Sequence, residues 1–161
     1  MLTTSRSRRA TTLSSFALLA IAFMTGCSTD SPPQHSERLQ KAAGLKVFYV
    51  ETSKELWEKT SDQEGRDGPD LEIKSTSKDL DNGLVQVALT GVSLTNYLRV
   101  LDYMGHGGAD SKNFGKHRQA ESIRMYNEIS GVLDDTTKRP DPKDPPLRAV
   151  VDDAFVEAKS K

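Results

Sequence analysis

Ser93, His106, Asp110 and His117 are the residues of this 161-residue chain whose types and order could perform catalysis or hold a metal. Gly91-Val92-Ser93-Leu94-Thr95 comes within one residue of Gly-x-Ser-x-Gly, the sharp turn between a strand and a helix that exposes a nucleophilic serine. The second glycine, which lets such a turn pack tightly, is replaced by the bulkier Thr95. Ser93 as a helix cap is therefore the ordinary account, with Asp110 and His117 following it in an acid and base order. His106, Asp110 and His117 offer nitrogen and oxygen donors that suit zinc. Two imidazoles one helical turn apart would argue for a metal; these are eleven positions apart with glycines between them, so a structural loop is expected and no metal site is assigned. Asp79-Leu80-Asp81-Asn82-Gly83 has calcium-loop residue types, but the glycine falls one place early and the twelfth position lacks glutamate, which leaves a turn. No cofactor motif is present.

The elements that must position these residues are mainly helical by period. Leu94, Tyr97, Leu98 and Leu101 form an i, i+3, i+4, i+7 stripe, with Thr90 or Ser93 able to cap its start and Gly105 to stop it. Ala120, Ile123, Met125 or Tyr126, Ile129 and Leu133 keep the same period from about Lys116 onward. Leu147, Val150, Val151, Ala154, Phe155 and Ala158 fit a last amphipathic helix, although Arg148 to Val151 could instead begin a strand. Before these, Ser53 to Thr60 reads as a helix, and Leu45 to Val50 as a helix or a short β-branched strand. Residues 70–90 allow either a hairpin turning at Asn82-Gly83 or one long helix. Gly65, Gly68 and Pro69 mark a loop, and Pro140, Pro142, Pro145 and Pro146 break regular structure before the C-terminal element. The expectation is a mainly α domain of three to four helices, possibly with one short β-hairpin. Leu94, Leu98, Leu101, Ile123, Ile129, Leu133, Val151 and Phe155 are its expected core.

The N-terminal stretch sets an address. Arg6, Arg8 and Arg9 precede an apolar run from Phe16 to Met24, the layout of a secretory leader. The run falls well short of the ~20 apolar residues a spanning helix needs. Met24-Thr25-Gly26-Cys27 follows it directly and resembles the lipobox of bacterial lipoproteins, with Met24 where Leu is usual. The resemblance implies cleavage before Cys27, a diacylglyceryl thioether on its sulfur and further acylation, such as palmitate, of the new N-terminus. Residues 1–26 are then a signal peptide, 27–35 the lipidated cysteine and a polar, proline-bearing tether in which His35 is solvated, and 36–161 one extracytoplasmic domain.

Cys27 is the chain's only cysteine, so a lipidated form has no thiol left for a disulfide, a nucleophile or a metal. Without Arg6, Arg8 and Arg9 the remaining 135 residues hold 19 Lys and Arg against 23 Asp and Glu. A formal charge of −4 argues against nucleic acid as a partner, which needs a clustered basic surface. Leu89 to Asp102, the helix around Met125-Tyr126 and Val150-Val151-Asp152-Asp153-Ala154 are similar to small lipoproteins and secreted proteins of high-GC Gram-positive bacteria. That similarity implies a cell-envelope address and carries no catalytic residues.

The expected function is a binding or interaction module on the outer face of the membrane, in contact with the bilayer through acylated Cys27 and with an envelope protein or ligand. An envelope-acting hydrolase using Ser93, or an exclusion or immunity lipoprotein of a mobile element, are the alternatives.

Overall fold

The computed structural model describes residues 31–63, 70–107, 119–141 and 143–152. Along the chain the elements are α1 (His35–Ala43), β1 (Phe48–Thr52), α2 (Lys54–Ser61), β2 (Ser75–Asp79), β3 (Val85–Leu89), α3 (Gly91–His106), α4 (Ala120–Asp135) and β4 (Leu147–Val151). The expected mainly α fold is therefore corrected: this is an α/β domain with a four-stranded mixed sheet.

The strands lie in the order β2-β3-β1-β4. Phe48 to Thr52 pair antiparallel with Leu89 to Val85 on one side and parallel with Leu147 to Val151 on the other. The registers put Leu147, Phe48 and Leu89 in one row, Ala149, Val50 and Val87 in the next, and Val151, Thr52 and Val85 in the third. This face is buried except at Leu147, which is partly covered, because α3 and α4 pack over it. The alternate residues Tyr49, Glu51, Gln86, Ala88, Arg148 and Val150 share the opposite face. There Glu51 Oε1 accepts from Gln86 Nε2 at 2.9 Å and from Arg148 Nη1 at 3.5 Å, which ties three strands together.

The hairpin reading holds for residues 75–89. Gly83 takes φ 82°, Leu80 N–H donates to Leu84 O at 2.8 Å and Asn82 Oδ1 accepts from Leu84 N at 3.1 Å. A left-handed glycine at this place closes a short hairpin loop at no steric cost.

The final helix is the reading that fails. Leu147, Ala149 and Val151 are the inward residues of a strand, while Arg148 and Val150 point out and are exposed. Two prolines before Leu147 favour this outcome, since the residue preceding proline is pushed to extended backbone and proline itself is tolerated at a strand's start. Phe155 lies outside the described residues.

The helix ends refine the remaining expectations. Ser53 caps α2, its hydroxyl accepting from Leu56 N at 3.2 Å. Thr90 caps α3, accepting from Ser93 N at 3.2 Å. The helix runs through Gly105 and ends at Gly107, whose φ of 91° supplies the left-handed turn. α1 begins at His35, with Gln34 as its N-cap residue.

Leu94, Leu98, Leu101, Ile129, Leu133 and Val151 are buried as expected, whereas Ile123 is only half-buried. Tyr97 and Tyr126 complete the core as its two largest side chains.

Candidate functional site

Ser93 sits in the first turn of α3, buried to 4% exposure, where its Oγ accepts from Thr90 Oγ1 at 3.1 Å. Its surroundings are those of a capping turn. His106 is the last residue of the same helix, about 20 Å away along the axis at 1.5 Å per residue. The helix thus holds these two residues apart and cannot make them a nucleophile and its base. Asp110 and His117 lie outside the described residues, as does Cys27. Among the described residues no group of three or more His, Cys, Asp or Glu is placed to hold a metal. Asp79 and Asp81 are exposed around the hairpin turn rather than turned inward on a cation.

His106 belongs instead to a polar cluster centred on Asp102, one turn earlier and only 3% exposed. Asp102 Oδ1 lies 3.2 Å from His106 Nδ1, and Asp102 Oδ2 lies 3.7 Å from His35 Nε2. Ser31 Oγ donates to the same Oδ2. His35 Nδ1 shares a hydrogen bond of 2.7 Å with Tyr126 Oη, and its ring stacks on that of Tyr126. His106 meets the same tyrosine ring edge-on.

His35 is therefore not a solvated tether residue: its side chain is 13% exposed. Its burial could not be read from its own neighbours, because the groups that cover it come from α3 and α4. The first turn of α1 is fastened further by Arg38, whose guanidinium grips the Asp134 carboxylate at 3.0 and 2.6 Å. That pairing holds Asp134 below the usual carboxylate range. Arg38 also lies over the Tyr126 ring.

These contacts fix the relative direction of the helices. α1 runs antiparallel to α3, since His35 meets Asp102 near the end of α3, while Ala42, Ala43 and Leu45 meet Gly91 at its start. α4 is also antiparallel to α3, with Gly105 against Ile123. The entry segment at Ser31 to His35 is thus at one end of the helical layer.

A groove of about 250 Å³ is at the other end, between the α1–β1 connection and the segment that leads into β4. Leu45, Val47, Pro140, Pro145, Pro146 and Leu147 give it apolar walls, with Lys46, Arg139, Asp141 and Asp144 beside them. The two acids are engaged within their own turn: Asp144 Oδ2 accepts from Asp141 N at 2.8 Å and Asp141 Oδ1 from Lys143 N at 2.9 Å. Lys46 and Arg139 make no ion pair among the described residues, and the groove lining carries two cations and two carboxylates, the latter hydrogen-bonded to backbone N–H groups. Lys46 and Val47 also border a shallower depression with Lys74 and Thr76 on the β2 side.

No helix among the described residues is long and apolar enough to cross a membrane. Comparison with protein-family models, with curated proteins and with solved structures finds no match.

Proposed function

We propose that this protein is a lipid-anchored, extracytoplasmic binding module, tethered through Cys27, whose groove receives a segment of an envelope protein with an apolar side chain in its middle and carboxylates set against Lys46 and Arg139. The observation that carries this reading is a placement. The chain enters the domain at Ser31 to His35, and the groove lies at the opposite end of the antiparallel α1–α3 pair.

The partner's chemistry follows from the groove. Its walls are proline and aliphatic, which suits one buried apolar side chain. Its two cations make no ion pair among the described residues and can each take a carboxylate, while Asp141 and Asp144 keep their negative charge and hold that carboxylate off their own side of the groove. Tethering raises the effective concentration of such a module near other envelope proteins, so a modest groove can be sufficient. The hydrolase alternative has less behind it, because Ser93 is a buried residue of the α3 capping turn.

A cross-linking pull-down from intact cells tests the proposal. The lipidated protein should recover a discrete partner that the unlipidated Cys27→Ser form does not. Equal recovery by both forms, or recovery of nothing by either, would contradict it.

A further inference from the structure

The groups gathered around His35 suggest a second property, independent of what the groove binds. His35 is the first residue of α1 and His106 the last residue of α3, and the two imidazoles share the single carboxylate of Asp102. The amino end of a helix disfavours a cation and the carboxyl end favours one. The fold therefore places His35 at the helix end where a proton is unwelcome.

We propose that the contacts of His35 with Tyr126 and of Ser31 with Asp102 form an acid-released latch, which holds the segment from Ser31 to His35 against α3 and α4 while His35 is neutral and lets it go when the ring takes up a proton.

Each element packed on the ring contributes to this outcome. α1 supplies Arg38, α3 supplies Arg99, Asp102 and His106, and α4 supplies Tyr126. Only Asp102 favours an imidazolium, and its oxygens are already engaged by Ser31 and His106. Burial disfavours the charged ring most, Asp102 opposes that effect, and Arg38, Arg99 and His106 add to it. The net result lies below the ordinary histidine value of 6.5.

A histidine lowered on folding binds fewer protons in the latched state than in the released one. Its contribution is complete above the ordinary value and is lost as the pH falls through the lowered one. The segment that yields is a short one, since α1 has nine residues and its first turn rests on His35 N to Pro32 O and Arg38 N to Gln34 O. On the reading that Cys27 carries lipid, release lengthens the tether.

Amide hydrogen exchange of the full-length chain in detergent, expressed as protection factors at pH 7.5 and pH 5.0, tests the latch. Arg38 and Leu39 should lose roughly tenfold in protection at pH 5.0, as local opening at a cost of one charge contact implies, while Val50 and Val87 in the sheet keep theirs. His35→Gln should abolish the pH response, whether the segment is held or released at both values. His106→Asn should retain the response, because His35 is still present. Equal protection at both pH values overturns the proposal, as does parallel loss in the sheet. A response that persists in His35→Gln or vanishes in His106→Asn also overturns it.

Discussion

Gly91 and Leu45 approach so closely that no methyl group fits between them: a Cβ at position 91 would lie 2.5 Å from the Leu45 carbonyl oxygen, 2.7 Å from that of Ala42 and 2.9 Å from that of Ala43. All three obstacles are backbone, which cannot swing aside as a side chain could. The glycine that begins the Gly-x-Ser pattern is thus required by packing, where α3 starts beneath the end of α1. Gly91→Ala should lower stability by about 1–3 kcal/mol, the usual cost of overpacking a filled interior. A shifted urea midpoint with an unchanged slope is the expected reading, and because Leu45 lines the groove, the same substitution should also weaken capture of the partner.

Tyr97 provides a prediction in alkali. Its hydroxyl is buried and donates to Thr60 Oγ1 at 2.6 Å, while Thr60 donates onward to Leu56 O at 2.8 Å. Burial pushes the phenol well above its ordinary value, with the Thr60 contact opposing that rise. The unfolded phenol ionises near 10 and the folded one does not, so this group's contribution is complete below pH 10 and falls as the pH rises above it. Tyr97→Phe should cost about 1 kcal/mol at neutral pH, since Thr60 keeps its bond to Leu56. It should also lose less stability than the parent between pH 9 and pH 11, as measured by urea unfolding at each pH.

The address can be checked apart from the fold. Cys27→Ser should abolish metabolic labelling with palmitate and shift the protein out of the membrane fraction. Stable anchoring calls for more than one acyl chain, so partial acylation should give partial release. Labelling and sedimentation that survive the substitution would contradict the lipobox assignment.

How far the sequence disclosed the fold depends on whether a signal is local. The stripe Leu94, Tyr97, Leu98 and Leu101 announces α3, because sixteen residues display the helical period several times over. Asn82-Gly83 likewise announces its turn. β1 and β4 are five residues each, and at Leu147 and Val151 a period of two and a period of 3.6 predict the same apolar positions. What decides between them is the parallel pairing of Phe48 with Leu147, across almost a hundred residues, and nothing local reports it. His35 was legible only as a polar residue after two prolines; its burial comes from Asp102 and Tyr126. The groove was hidden for the same reason, being built from two connections, at 44–47 and 139–147, that meet only in the folded chain.

Site-specific photo-cross-linking in living cells tests the central claim, that the groove is the binding surface of an anchored module. A photoreactive residue at Val47, in the groove, should give one discrete adduct, while the same residue at exposed Glu55 on α2 should give none. Combining Val47 with Lys46→Glu and Arg139→Glu should reduce that adduct roughly tenfold, since reversing two exposed ion pairs is worth about 1–2 kcal/mol. An adduct at Glu55 and none at Val47, or a Val47 adduct indifferent to both charge reversals, would contradict it.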